Sequence, residues 1–282
     1  ALGGMATQGM VLGWRGANDR EKVIHSGLTQ WFMHHSTPYP GTIDYAKYHH
    51  LENKAPIDIE ILKRACDRRV LDCGATLRFG SMVSGIQKQE NRIDAVVVSS
   101  KAGLSLVRAA VFIDCTGDAD LAAWAGAPFH KGDETGGLQP VSLLYGISDI
   151  DPDALETERF PGWRQRIVED ERYPLIQDDF FSTGAPLSKR VRFTNGGHVY
   201  GIDNTVPPSM TQGLVQGRCL AAQLHQALKD YFPKSYGASH LTVTAPLLGV
   251  RETRRIVGEH VLSVDEYFAR EKFDDAIAFN CF

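Results

Sequence analysis

The sequence predicts an α/β fold on three observations. A β-prone apolar run from Leu106 to Asp114 stops at Thr116-Gly117-Asp118 and feeds an Ala-rich stretch from Ala119 onward. One helical pattern, one strand pattern and a β-rich run precede it in that order. A second, longer helical pattern fills Ser209 to Tyr231. Strand patterns interleaved with helical ones belong to the α/β class.

The elements follow along the chain. Pro56 to Leu71 carries Ile57, Ile61, Leu62, Ala65 and Val70 at helical spacing, with Pro in the first turn. Ala75 to Ile86 alternates as a strand. Arg92 to Ser100 and Leu104 to Asp114 flank Lys101-Ala102-Gly103, the pattern of a hairpin or β-meander. His130 to Gly137 is a loop, Pro140 to Ile147 a strand, and Asp149 to Trp163 turn chemistry followed by helix. In the long helix Leu214, Leu220, Leu224 and Leu228 share a face, between Pro207-Pro208 and Pro233. Ser263 and Glu266 have the Ser-x-x-Glu spacing of a capping box, opening a short helix through Arg270.

Composition narrows the function classes. Of 282 residues, 43% are hydrophobic and 23% charged, ordinary values for a globular chain. A net charge of −4 and a pI of about 6.2 speak against a nucleic-acid surface. No apolar run is long enough for a membrane span. The five cysteines, Cys66, Cys73, Cys115, Cys219 and Cys281, form no Cys-x-x-Cys pair and no secreted framework. Cys66 and Cys73 read as core thiols, and a cytoplasmic setting is expected. His34-His35 and His49-His50 are adjacent pairs, whose side chains diverge, so no metal site is expected. Asp133-Glu134 and Asp178-Asp179 read as solvated loop acids.

Two groups of residues carry chemistry. A strand that ends in a small-residue turn before a helix leaves free N–H groups at its tip, which suits an anionic ligand. Gly117 permits close approach, and Asp118 can accept from a ribityl or ribose hydroxyl. Arg251, Arg254 and Arg255 are candidates for substrate chemistry, because a guanidinium fork binds carboxylate through two parallel hydrogen bonds. Successive residues of an extended segment face opposite ways, so only one of Arg254 and Arg255 can face a site. His130 and His198 are the candidate general bases.

Three segments together carry a resemblance. Leu2-Gly3-Gly4-Met5-Ala6-Thr7, Cys115-Thr116-Gly117-Asp118 and Leu248-Gly249-Val250-Arg251-Glu252-Thr253-Arg254-Arg255-Ile256 resemble, in order and spacing, FAD-dependent oxidoreductases of the glutathione-reductase-like flavoprotein group. The last block resembles the motif of one subfamily. The resemblance implies an FAD/NAD(P)-binding three-layer nucleotide domain with a β-meander, incomplete here, plus an inserted mixed α+β substrate domain. Residues 1–130 and 248–282 would be the two parts of the nucleotide domain, and 131–247 the insert. It implies FAD contacts from Leu2, Gly3, Gly4, Met5 and Thr7, from Val83 beside the adenine, and from Thr116, Gly117 and Asp118. Gly3-Gly4 and the Thr-Gly-Asp turn are then expected to share one site, the turn at a strand tip.

The 282 residues contain no glycines at i, i+2 and i+5, the turn that seats the pyrophosphate in this fold. Gly80 and Gly85 have P-loop spacing, but Ile86 stands where Lys is needed. Ala1 therefore reads as a cut point, Phe282 as a stop before a flavin-contacting segment, and weak FAD retention is expected. Gln216-Gly217-Arg218-Cys219-Leu220 reads as a helix of the insert. The function expected is hydride transfer between a small organic substrate, carboxylate-bearing, and flavin N5, with electrons passed to an acceptor the sequence does not name. Arg251, Arg254, Arg255 and His198 would serve catalysis, and bare apolar faces would favour homo-oligomer pairing. The rival readings are a non-catalytic fragment or scaffold without flavin, and a nicotinamide-dependent enzyme, which the missing glycine turn disfavours.

Overall fold

A computed structural model describes residues 1–11, 13–15, 27–36, 54–182 and 185–276. Cys281 and His49-His50 lie outside the described residues. Gly3, at φ 96°, leads into a single 3-10 turn, Gly4–Ala6. Strand β1 (Gly13–Arg15) pairs antiparallel with β2 (Lys54–Pro56), and α1 (Leu28–His35) falls between them in sequence.

Helix α2 (Ile59–Asp72) starts three residues after Pro56, which instead ends β2. The cap decides the start: Asp58 accepts from the backbone N–H groups of Glu60 and Ile61, both at 3.0 Å, satisfying two donors that a helix leaves open. Ile57, Leu62 and Cys66 form a small core with Leu2, Ala6, Trp14 and Phe32. Burial raises the Cys66 thiol pKa, with the Asp67 charge adding to it. Cys73 is exposed, contrary to a core role, because it lies past the last helical turn.

β3 (Ser81–Gln89), β4 (Arg92–Ser100) and β5 (Gly103–Val107) form the expected antiparallel meander. The third strand is shorter than its propensity predicts: it ends at Val107, so the Thr-Gly-Asp turn does not stand at a strand tip. A strand needs a neighbour for its backbone groups. Residues 108–114 form no strand ladder with any described residue, and Val111 and Ile113 are 74% and 82% exposed. All strand pairs among the described residues are antiparallel. The chain is α/β in class.

Next come α3 (Asp120–Ala125), β6 (Phe129–Lys131), β7 (Tyr145–Ser148), α4 (Pro152–Thr157), α5 (Trp163–Val168), β8 (Ala185–Pro186) and β9 (Arg192–Thr194). α6 (Pro207–Tyr231), α7 (Pro233–Tyr236), β10 (His240–Thr244), β11 (Arg254–Ile256) and α8 (Val264–Ala269) complete the chain. A four-stranded sheet runs β10-β7-β9-β8, and β11 returns to pair with β6. The strand expected over Pro140–Ile147 is only partly regular: Val141 and Ser142 make single bridges to Val199 and Gly249 before β7 begins. α8 carries the expected capping box, with Ser263 N donating to Glu266 at 2.6 Å and Glu266 N to Ser263 Oγ at 3.2 Å.

The main core packs α6 onto this sheet. Leu220, Leu224 and Leu228 are buried with Leu143, Tyr145, Ile147, Ile167, Tyr236 and Leu248. Each such side chain contributes about 1.5–3 kcal/mol by leaving water. Gly213 and Gly217 bring the helix flush against its neighbours. A Cβ at 217 would stand 2.8 Å from Leu143 Cβ, and one at 213 would stand 2.9 Å from Leu248. Gly217 and Cys219 lie in α6, so the Gln216–Leu220 stretch is helical. None of the described helices is long and apolar enough to cross a membrane.

Candidate functional site

The Thr116–Asp118 turn is built by side chains on both sides of it. Asp114 accepts from Thr116 N at 3.0 Å, Thr116 Oγ1 at 2.7 Å and Ala122 N at 3.1 Å, while Thr116 Oγ1 accepts from Asp120 N at 3.0 Å. Burial pushes the Asp114 carboxyl up, but hydrogen bonds from Thr116, Ala122 and Leu121 outweigh it and hold the pKa below the usual carboxylate range. Gly117, at φ 87°, is exposed, and open space surrounds its missing Cβ. The backbone N–H groups of Gly117, Asp118 and Ala119 meet no acceptor among the described residues.

Asp118 ties its turn to two distant segments. Its Oδ1 accepts from Thr253 Oγ1 at 2.5 Å, its Oδ2 from Asn204 Nδ2 at 2.6 Å, and its carbonyl from Arg254 at 2.9 Å. Arg254 also pairs with Asp120 at 2.6 Å. The loop bearing Asn204 is anchored by Lys131, which pairs with Asp203 and donates to Thr205 at 2.7 Å. Arg255, the next residue in β11, points elsewhere: it pairs with Glu252 and donates to the Gly132 carbonyl at 2.7 Å. There it lines an open pocket of about 330 Å³ with Gly132, Asp133, Gly137, Leu138, Gln139 and Glu252.

Arg251 and His198 come together around one phenyl ring. Phe180 stacks on His198 with centroids 4.1 Å apart and 11° between planes, and the Arg251 guanidinium lies 5.3 Å from the Phe180 centroid. Arg251 donates to the Pro140 carbonyl and, at 2.9 Å, to Ser142 Oγ. Burial lowers its pKa, against the raising pull of Asp178 and Tyr200. No carboxylate of the described residues lies within ion-pair distance of it, unlike Arg254 and Arg255. His198 Nδ1 is 2.9 Å from Asp178 Oδ2, and Tyr200 donates to the same oxygen at 2.6 Å. Asp178, read from sequence as a solvated acid, is therefore a partner of the histidine. His130 is exposed on β6 opposite Arg255 and apart from this cluster.

The N-terminal segment, Gly3 and Gly4 included, makes no hydrogen bond to the Thr116–Asp118 turn among the described residues; instead Leu247 N donates to Gln8 O at 3.4 Å. Gly3 and Gly4 are exposed with φ of 96° and 48°, and the N–H groups of Gly3, Gly4 and Met5 have no acceptor among the described residues. Thr7 is buried and its hydroxyl donates inward to Leu2 O at 2.6 Å. Leu2 packs on the small core, and Met5 is half-buried. Val83 lies in β3 opposite Val98, beside a register shift.

A family model described as FAD dependent oxidoreductase matches residues 1–282. The chain belongs to the FAD-dependent oxidoreductase family. Among solved structures it is similar to the OxyS anhydrotetracycline hydroxylase from Streptomyces rimosus, at 16% identity and TM-score 0.42, over 87% of this chain and 45% of that one. It is also similar to the p-nitrophenol 4-monooxygenase PnpA from Pseudomonas putida DLL-E4, at 10% identity and TM-score 0.38, over 75% and 46%. A third is BrvH, a flavin-dependent halogenase from Brevundimonas sp. BAL3, at 14% identity and TM-score 0.34, over 80% and 38%. The chain spans less than half the length of each. No curated protein matches it.

FAD is the cofactor of this family, and the residues present fit parts of it. Two exposed glycine turns, Gly3-Gly4 and Thr116–Asp118, offer N–H donors with no acceptor among the described residues, with open space beside Gly4 and Gly117, the chemistry a pyrophosphate or ribityl chain needs. Asp118 fits less well as a hydroxyl acceptor, since both its carboxylate oxygens already accept from the protein.

Proposed function

We propose that this FAD-dependent oxidoreductase oxidises a small carboxylate-bearing molecule, as a member of the subfamily marked by Gly249-Val250-Arg251-Glu252-Thr253-Arg254-Arg255-Ile256. The observation that carries the reading is Arg251. Two of its five N–H donors are used on Pro140 and Ser142, and it has no ion-pair partner among the described residues. The remaining N–H groups, including Nε, have no partner among the described residues, and a guanidinium with such donors suits carboxylate binding. When bound, FAD supplies a two-electron acceptor that takes hydride at N5. Gly3, Gly4, Met5, Gly117 and Asp118 would hold it through their backbone, with Leu2, Thr7, Val83 and Thr116 shaping those turns. Arg254 would act by fixing the turn, through Asp118 and Asp120. Arg255 would act at the open pocket edge. Electrons would pass on to a separate acceptor.

The experiment is an anaerobic panel. The flavin-loaded protein is mixed with small 2-hydroxy- and 2-amino-carboxylates and with their methyl esters, and bleaching of the visible flavin absorbance is followed. Bleaching by acids and not by esters supports the reading. Equal bleaching by both, or by neither, overturns it.

A further inference from the structure

His198 is held from several sides. Its Nδ1 faces Asp178 Oδ2 at 2.9 Å, Phe180 covers a ring face, and Tyr200 donates to the same carboxylate oxygen. Asp178 is itself fixed, because Phe180 N donates to its Oδ1 at 2.8 Å. Burial pushes the Asp178 carboxyl up, yet hydrogen bonds from Tyr200, Phe180 and His198 hold its pKa below the usual range, so it is ionised. An ionised carboxylate only accepts hydrogen bonds, so the nitrogen facing it carries the hydrogen. A neutral imidazole with hydrogen on Nδ1 has a bare lone pair on Nε2. No described residue makes a hydrogen bond to Nε2.

We propose that Asp178 and Tyr200 are positioning residues that hold His198 with Nε2 as the proton acceptor of the oxidation, for a substrate whose anionic group sits on Arg251. The proposal rests on the functional reading above and names the proton's destination. The substrate's O–H or N–H bond breaks and its proton goes to Nε2. Its electron pair forms the new C=O or C=N bond. The neighbouring C–H pair leaves as hydride, with FAD as the oxidant. Asp178 fixes which nitrogen is bare, and Tyr200 holds the carboxylate oxygen in place.

The test reads the tautomer directly. Long-range proton–nitrogen correlation spectra of the full chain are recorded near pH ~8.5, where an ordinary histidine is neutral, with His198 assigned from His198→Gln. The expected spectrum has hydrogen on Nδ1. Tyr200→Phe keeps that tautomer, whereas Asp178→Asn moves the hydrogen to Nε2, since the amide can donate to Nδ1. Carbethoxylation of Nε2 by diethyl pyrocarbonate slows severalfold in Asp178→Asn at unchanged melting temperature. Hydrogen on Nε2 in the parent protein, or no change in Asp178→Asn, overturns the proposal. So does a parental rate of bleaching in His198→Gln with an acid that bleaches the parent. The tautomer is read without turnover, so a wrong tautomer beside acids that bleach sinks the His198 assignment alone, whereas a panel in which no acid bleaches the flavin sinks the functional reading and, with it, the proton's destination.

Discussion

Thr253 donates its hydroxyl proton to Asp118 at 2.5 Å, across 135 positions of chain. Thr253 is buried, at 4% exposure, and the carboxylate it meets also receives Asn204. One side chain therefore fixes the Thr-Gly-Asp turn to both the 203–205 loop and the arginine segment. A hydrogen bond to a charged group is worth about 1.5–3 kcal/mol. Thr253→Val is expected to cost that much in urea unfolding. Combined with Asp118→Asn, the double variant is expected to lose less than the sum, as coupled sites do. Strict additivity would mean the two side chains do not support each other in solution.

Replacing Arg251 by Ala is expected to lower kcat/KM for an acid substrate by about 10- to 150-fold, the loss of about 1.5–3 kcal/mol of hydrogen bonding to a charged group at an exposed guanidinium. The melting temperature is expected to fall far less, because Arg251 has no ion-pair partner among the described residues. Arg251→Lys keeps the charge without the fork and is expected to fall between. Early melting with unchanged kinetics below the transition would make Arg251 a structural residue.

Gly217→Ala is expected to destabilise. Alanine gains about 1 kcal/mol in helix propensity, but its methyl would meet Leu143 Cβ at 2.8 Å, an atom tied to backbone. Overpacking of this kind costs about 1–3 kcal/mol, so the net loss is on the order of 1 kcal/mol, or 2–4 °C. A rise in melting temperature would show that α6 has room to move.

Asp170 gives the molecule an acid limit. Arg172, aided by Tyr231, lowers its pKa from an ordinary 3.8 to about 2, against burial. A depressed carboxyl contributes stability above its unfolded pKa and loses it as pH falls through the folded one. Stability is therefore expected to drop between about pH 4 and pH 2, and less steeply in Arg172→Gln. Equal slopes in the two proteins, measured by denaturant midpoints, would remove the ion pair from the account.

The long elements are legible in the sequence because periodicity reports burial directly. Leu220, Leu224 and Leu228 mark the buried face of Pro207–Tyr231, and the Ser263–Glu266 spacing marks the capping box of the short helix Val264–Ala269. The strand boundary at Val107 is not, since β propensity is local and a strand also needs a partner. Arg251 and His198 are legible by chemistry alone. Tyr200 is within reach of the same reasoning, because alternate residues of an extended segment share a side. Asp178 is not. It meets His198 through a fold contact 20 residues away, and no local pattern separates it from the solvated Asp179 beside it.

The Asp118 junction also has a kinetic meaning. Its bonds from Asn204, Thr253 and Arg254 span 86, 135 and 136 positions. Closing loops of that length costs chain entropy before any bond repays it. We expect the junction to form late in folding and to open early in unfolding, a difference that kinetics of variants at the junction would show. Substitutions at Asn204 or Thr253 should then leave the refolding rate almost untouched and speed unfolding. The segment presenting Arg251 is tethered by these bonds at Thr253 and Arg254 and by the core at Leu248 and Gly249, so opening of the junction is expected to loosen one end of the site while the core holds the other.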